Sequence, residues 1–303
     1  MKFVTFQKND GDLRAGILVN NQIFDLHECS HGKLPLSLLR YIEDYQSYEQ
    51  MLLDVLSAGE KTTGISLAEA QLVSPLPKPQ SVRDFYAFLE HVKQARARRG
   101  LEVIPEWFRA PVFYFTNHLA VKGPGDVILF PENSKEWDYE LEVACIIGKQ
   151  GRNISREQAM EFVFGFCIMN DWSARDLQRE EMKVGLGPAK GKDFATTLGP
   201  WIVTKNELSE QIAGDVLRAS MTAKVNGKLL SSGNAGDMYF SFGELIEQAS
   251  KDVTLYPGEV IGSGTVGSGC LLELGTEVHR WLETGDVVEL EIEGLGVLRN
   301  SVG

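Results

Sequence analysis

Two short stretches hold most of the chemistry that this sequence can perform. The first is Trp137-Asp138-Tyr139-Glu140-Leu141-Glu142-Val143-Ala144-Cys145-Ile146-Ile147-Gly148. Its apolar and β-branched residues predict a buried strand that ends at Gly148. Side chains alternate along a strand, so Glu140 and Glu142 share a face, roughly 7 Å apart at the backbone. On a helix, positions two apart do not face each other. Two carboxylates converging on one point repel, and burying them uncompensated is costly. A bound divalent cation removes that conflict, because hard cations take oxygen ligands. Standing alone, the pair reads more simply as two solvated glutamates on an edge strand, since glutamate is usually exposed.

The second stretch, Met169-Asn170-Asp171-Trp172-Ser173-Ala174-Arg175-Asp176-Leu177-Gln178, shifts that balance. It continues an apolar run over residues 164–169 that reads as another buried strand. Asp171 then sits at a strand end, where sheet proteins place ligands. Ser173, with Asp176 three residues on, predicts a capped helix start. On that helix Arg175 and Gln178 share a face. One acid, one cation and one amide leave the sheet together, which suits a metal holding a carboxylate- or carbonyl-bearing substrate.

These two stretches, followed by Leu186-Gly187-Pro188-Ala189-Lys190-Gly191-Lys192-Asp193-Phe194-Ala195-Thr196-Thr197, resemble the fumarylacetoacetate hydrolase superfamily, and within it most the fumarylacetoacetases. The resemblance covers roughly residues 75–303. It implies an α+β, β-rich protein whose C-terminal domain is a mixed-sheet β-sandwich or roll. Residue by residue, it implies that Asp84 joins Glu140, Glu142 and Asp171 as metal ligands, with Thr196 beside them. Tyr86, Tyr114 and Thr265 would contact substrate. His91 would be the catalytic base, oriented by Glu273, with Arg175, Gln178 and Lys192 at the reacting centre. A lone histidine beside apolar residues is more often structural, so the role of His91 comes from the resemblance.

Two departures from the family pattern stand out. The spacing after His91 is short, so Arg96, Arg98 and Arg99 all compete for one substrate-binding arginine. Met182 stands where fumarylacetoacetases carry a substrate-binding tyrosine.

Four carboxylates argue against structural zinc and for Mg²⁺ or Ca²⁺, with Mn²⁺ also suited. Such a cation chelates a 1,3-dicarbonyl and stabilises the enolate left by carbon–carbon cleavage. Histidine supplies a base near neutral pH. A glutamate behind it fixes the tautomer, as aspartate does in serine-protease triads. Arg175, Gln178 and Lys192 would stabilise an oxyanion. The implied reaction is hydrolysis of a carbon–carbon bond in a small anionic 1,3-diketo acid. The resemblance points to 4-fumarylacetoacetate, yielding fumarate and acetoacetate in tyrosine breakdown through homogentisate. Acylpyruvate hydrolysis, or decarboxylation or isomerisation of a 2-oxo acid, is the alternative. The Asp84-Phe85-Tyr86…His91 arrangement ranks hydrolysis first.

The elements that position these residues follow from the rest of the chain. Its 303 residues, 43% hydrophobic and 24% charged, suffice for one large core or two domains. A net charge of −12, from 30 basic and 42 acidic residues, argues against nucleic-acid binding. No apolar run approaches the ~20 residues of a membrane span, and the first residues lack a signal-like apolar core, so a cytoplasmic protein is expected. The four scattered cysteines read as reduced and buried. His27 and His31 flank Cys29 without a second ligand pair, so they read as structural.

Residues 1–73 read as a small β-rich N-terminal domain with helices. Within it, residues 16–24 form strand, Asn-Asn turn and strand, and residues 36–56 carry helical spacing. Tyr41, Tyr45 and Tyr48 read as packing residues. Ser74-Pro75-Leu76-Pro77-Lys78-Pro79 marks the boundary to a catalytic domain, 74–303. Ser155 predicts a capped helix over 155–163, and Ser241 with Glu244 another ending near Ser250. Asn226-Gly227 is a hairpin turn. The Gly185–Lys192 loop is no P-loop, because Asp193 stands where Ser or Thr should follow the lysine. Gly262-Ser263-Gly264-Thr265-Val266-Gly267 matches a dinucleotide fingerprint, but residues 268–274 read as a strand where a helix is required, so nucleotide binding is rejected. The strands over 287–293 and 295–302 are expected to close the β-core. The resemblance also implies a homodimer.

Overall fold

The computed structural model describes residues 1–58, 63–98 and 100–303. A twelve-stranded mixed sheet runs through its centre. Nine of its strands are labelled here in chain order: β1 (Lys2–Gln7), β2 (Leu13–Val19), β3 (Gln22–Asp25), β4 (Val82–Phe85), β5 (Phe113–Phe115), β6 (Leu141–Ile147), β7 (Val163–Asp171), β8 (Thr196–Thr204) and β9 (Val260–Gly262). Their order across the sheet is β3-β2-β1-β8-β7-β6-β9-β4-β5. On this path only β9 and β4 run parallel.

Every residue of β6 and β7 is buried. Both sheet faces are covered, which is why these strands read as continuous apolar runs rather than alternating ones. On one face Val143, Cys145, Phe166 and Ile168 enter the larger core. On the other, Ala144, Ile146, Cys167 and Met169 meet the core of the N-terminal segment. That segment extends the same sheet, since β1 pairs antiparallel with β8, Phe3 opposite Ile202. The Tyr41 ring packs on Phe3 and Phe164. A second, five-stranded sheet runs in the order Lys228–Asn234, Ser220–Val225, Val287–Ile292, Gly296–Val302 and Val127–Ile128. Its Met221, Ala223, Leu290 and Leu298 share the larger core. The protein is thus of the mixed, strand-rich α+β class. Both sheets are open: the last two strands complete the smaller sheet without closing a barrel.

Local signals appear where their physics is local. Asn20 and Asn21 take positive φ of 50° and 60° in the β2–β3 turn, which asparagine tolerates, and Asn226 and Gly227 repeat this in the second sheet. Ser241 and Glu244 form a complete capping box on helix Phe242–Ser250. His27 Nδ1 meets the Leu34 carbonyl at 2.8 Å, a local packing contact. All four cysteines are free and buried.

Four expectations change. Helical spacing over 36–56 resolves into two helices, Leu38–Glu43 and Tyr45–Ala58, broken at Asp44. The helix after Ser155 spans only Arg156–Ala159 before a 3-10 turn, and the Ser155 hydroxyl makes no capping bond. Ser173 does not cap the next helix: it pairs in a two-stranded ladder with Asp138, and its hydroxyl donates to the Asp171 carbonyl. Residues 268–274 are not a strand, because Leu271–Leu274 is helical. Among the described residues no helix is long and apolar enough to cross a membrane.

Candidate active site and metal centre

Strand ends bring the acids together. Glu142 lies at the start of β6 and Asp171 at the end of β7, two antiparallel neighbours. Asp84 on β4 sits opposite Gly262 of β9 and Tyr114 of β5. Gly262 is required there, because a Cβ would stand 2.7 Å from Asp84 Oδ1. Glu140 lies just before β6, where its N–H donates to Asn170 Oδ1 at 2.9 Å. Each of the four carboxylates offers an oxygen within 4.8 Å of the others, and all four residues are buried. Asp84 Oδ1, Glu142 Oε2, Asp171 Oδ1 and Thr196 Oγ1 have no hydrogen-bond partner among the described residues.

The electrostatics of this cluster are strained. Burial pushes the Asp84 carboxyl well above its ordinary range, and the Asp171 charge adds to that. Burial does the same to Glu142, reinforced by Asp84, Glu140 and Asp171. Burial also raises Asp171, against the pull of Lys192. Glu140 goes the other way: burial would raise it, but Lys192 and Arg175 outweigh that and lower it. The Lys192 ammonium stands 2.5 Å from Glu140 Oε2 and 2.6 Å from Asp171 Oδ2. Tyr114 donates its hydroxyl to Asp171 Oδ2 at 2.6 Å. Thr265 donates to Glu142 Oε1 at 3.4 Å. Lys190, by contrast, is exposed and pairs with Asp193.

Three helices carry site residues and are labelled α1 (Leu89–Ala97), α2 (Arg175–Lys183) and α3 (Leu271–Leu274); α2 follows β7 after the short Ser173–Ala174 strand. From α2, Arg175 reaches Glu140 Oε1 through Nη2 at 2.8 Å and Gln178 Oε1 through Nη1 at 3.1 Å. Gln178 therefore supports the guanidinium. Met182, further along α2, is 44% exposed.

His91 on α1 and Glu273 on α3 meet although 182 positions apart, with Nδ1 and Oε1 separated by 2.5 Å. The second Glu273 oxygen accepts the Ser268 N–H at 2.8 Å. The Tyr86 ring stands edge-on to His91, centroids 5.3 Å apart. Cys270 Sγ donates to Glu273 Oε1, the oxygen that faces His91, at 3.5 Å. Burial, then the charges of Asp138 and Glu273, push its thiol well above the usual range, which favours the protonated form.

Of the competing arginines, Arg98 clamps the Glu273 and Leu274 carbonyls and Glu277, tying the end of α1 to α3. Arg96 donates to the Glu102 carbonyl. Arg99 lies outside the described residues.

One residue was missed from the sequence. Asp138 is fully buried. Its Oδ1 accepts the Leu271 N–H at 2.7 Å, while Oδ2 accepts the Leu272 N–H at 3.0 Å and Arg175 Nε at 2.8 Å. It joins the arginine beside the cluster to the helix that carries Glu273. The signal was present: the alternation that groups Glu140 with Glu142 also puts Asp138 on that face. Its carboxylate also occupies the N-terminus of α3, the helix that follows the glycine-rich run in the chain, where a dinucleotide site would hold its pyrophosphate.

Counting Asp138, five carboxylates face two cations, Lys192 and Arg175. An all-oxygen donor set with partnerless oxygens and surplus negative charge fits a hard divalent cation.

Comparison with known proteins agrees with this arrangement. The family described as fumarylacetoacetate (FAA) hydrolase, C-terminal, matches residues 80–303. The chain is 35% identical to the oxaloacetate tautomerase YisK of Bacillus subtilis (strain 168), over 100% of both chains. It is 32% identical to the mitochondrial oxaloacetate tautomerase fahd2 of Xenopus laevis, over 100% of this chain and 90% of that one. The solved fumarylacetoacetate hydrolase of Exiguobacterium antarcticum superposes with a TM-score of 0.75 at 28% identity, covering 100% of this chain and 99% of the other. The chain belongs to the fumarylacetoacetate hydrolase family.

Proposed function

We propose that this chain is a divalent-metal enzyme acting on a small 2-oxo diacid, and that its first reaction is keto–enol tautomerisation of oxaloacetate. The observation that carries the reading is the buried cluster of Asp84, Glu140, Glu142 and Asp171, three of whose oxygens lack partners. The full-length likeness to oxaloacetate tautomerases supports the substrate class. In this reading the four carboxylates hold Mg²⁺, Ca²⁺ or Mn²⁺, with Thr196 beside them. When bound, the ion supplies Lewis-acid stabilisation of an enolate oxygen.

The chain's own groups move the proton. Glu273 accepts the Nδ1–H of His91, which leaves the Nε2 lone pair free as base. Nε2 takes a proton from C3 of the oxo acid; the C–H electrons form the C2–C3 double bond, the carbonyl pair moves to the C2 oxygen, and the protonated Nε2 returns its proton to that oxygen, which regenerates the base. Lys192 and Arg175 hold positive charge beside the cluster as the oxygen becomes negative. Tyr86, Tyr114 and Thr265 border the substrate.

Hydrolysis of a 1,3-diketo acid, with 4-fumarylacetoacetate as the named case, is the second reading. The Asp84-Phe85-Tyr86…His91 arrangement and the His91–Glu273 pair favour it, because the same base can activate a water for attack on a carbonyl. Acylpyruvate cleavage and 2-oxo acid decarboxylation share the enolate and fall under the same test. The Mg²⁺-loaded protein is given oxaloacetate, fumarylacetoacetate and acylpyruvates in parallel. Loss of enol absorbance well above the buffer rate on oxaloacetate supports the first reading. Equilibration at the buffer rate, with cleavage of a diketo acid into two acids, replaces it with the second. Closed two-fold association is part of the proposal, as the commonest oligomer, and a light-scattering mass near 33.6 kDa would contradict it.

A further inference from the structure

We propose that His91, Cys270 and Glu273 form a second metal site, one that takes a thiophilic divalent ion such as Zn²⁺ and switches the enzyme off. Their donor atoms all lie within 4.8 Å of one another, and all three residues are buried. Zinc held by one sulfur and two lighter donors keeps its ligand atoms about 3.3–3.6 Å apart. Cys270 Sγ already stands 3.5 Å from Glu273 Oε1. The His91 contact, at 2.5 Å, needs to widen by roughly 1 Å, within reach of small χ rotations.

Charge balance makes such a site feasible in a buried place. Without metal, one proton joins His91 Nδ1 to Glu273 and another sits on the Cys270 sulfur. A divalent ion that binds Nδ1, Sγ and Oε1 displaces both: the imidazole proton moves to Nε2, which keeps the ring neutral, and the thiol proton leaves to solvent. One positive charge leaves and two arrive, so the ion cancels the charges of the Glu273 carboxylate and the Cys270 thiolate and no uncompensated ion is buried.

Ligand chemistry then sorts ions between two neighbouring places. Sulfur and imidazole select Zn²⁺ or Co²⁺, whereas the four carboxylates select Mg²⁺, Ca²⁺ or Mn²⁺. The carboxylate cluster contains no sulfur or nitrogen ligand. The inhibitory consequence rests on the role given to His91 above: an imidazole bound to a cation through Nδ1 carries its proton on Nε2 and has no lone pair there to act as base, and its bond to Glu273 is gone. The site itself does not depend on that role.

The test uses the full-length, Mg²⁺-saturated protein titrated with Co²⁺. A thiolate-to-cobalt charge-transfer band should appear, saturate near one ion per chain, and disappear when Zn²⁺ is added. Oxygen ligands give no such band, so it should survive in Asp171→Asn and vanish in Cys270→Ser. With Mg²⁺ in excess, Zn²⁺ should inhibit the unaltered protein at ~10-fold or more lower concentration than Cys270→Ser, each measured against its own uninhibited rate. If Cys270→Ser does not fold, Glu273→Gln should keep the band and weaken cobalt binding. No sulfur band at cobalt saturation, or one unchanged in Cys270→Ser, overturns the site. A sulfur band with full activity upholds the site and removes His91 from proton transfer.

Discussion

Replacing Asp138 by asparagine tests the connection between the two halves of the site. The side chain is fully buried and accepts three hydrogen bonds, two from α3 and one from Arg175. Asparagine keeps the volume but carries one oxygen and one NH₂. If the NH₂ faces Leu271, that N–H loses its acceptor and meets a donor. If it faces the other way, Leu272 and Arg175 both lose theirs. In either orientation Arg175 keeps only Glu140 as a charged partner. Hydrogen bonds to a charged group contribute about 1.5–3 kcal/mol, and removing one partner of a buried ion pair costs about 3–5 kcal/mol. At roughly 2–4 °C per kcal/mol, Asp138→Asn should lower Tm by about 6–20 °C. Arg175 and Glu273 would shift together, so kcat should fall more than KM rises. Combining Asp138→Asn with Arg175→Met should destabilise less than the sum of the two, since they share one contact. Scanning calorimetry and steady-state kinetics read both effects. A Tm change under about 2 °C with unaltered kcat would show that Asp138 neither holds α3 nor orients Arg175.

Metal and pH should be linked. In the metal-free protein Asp84 and Glu142 keep their protons above the ordinary values of 3.8 and 4.5, so the folded state binds more protons than the unfolded chain, and stability falls as pH rises through that window. Mg²⁺ displaces those protons, so the Tm gap between Mg²⁺-loaded and EDTA-treated protein should widen from about pH 5 to about pH 8; a constant gap would contradict this. His91→Ala and Glu273→Gln should each lower kcat by ~10² or more with calorimetric Mg²⁺ binding kept, and the double variant should be little worse than either. Independent, multiplying losses would show that the two residues do not act as a pair. Asp286 is buried, which alone would raise it, but bonds from Arg280 and Asn226 depress its carboxyl to about 2. That stabilisation is present above the ordinary 3.8 and lost as pH falls through about 2, so Asp286→Asn should melt earlier than the unaltered protein at neutral pH and the difference should close in acid.

What was legible in the sequence was what short-range geometry decides. Strand alternation placed Glu140 beside Glu142, and the apolar run to Met169 put Asp171 at a strand end. The Asn-Asn and Asn-Gly turns and the Ser241 box needed only their own neighbours. The failures share the opposite cause. Residues 268–274 have strand-like composition, yet the start of α3 is capped by Asp138, 133 positions upstream. Ser173 could cap α2, but the ladder with Asp138 claims its backbone and Asp171 takes its hydroxyl. The helix after Ser155 ends early, where Ile154 and Ala159 are buried in the larger core.

The same division runs through the site. The acid cluster is assembled by three strands whose registers are set by backbone ladders, so Asp84, Glu142 and Asp171 are held whether or not any helix is in place. The His91–Glu273 pair has no ladder. His91 and Glu273 ride on two short helices; the Arg98 side chain fastens α1 to α3, and the Asp138 side chain fastens α3 to the cluster. On the proposed reading, strands set the metal ligands, while two polar clasps set the distance from base to substrate. An enolate-forming cluster could then be kept while the outcome is altered at the helices. Substitutions at Arg98 or Asp138 should change which acid is turned over, and how, before they change which metal is held.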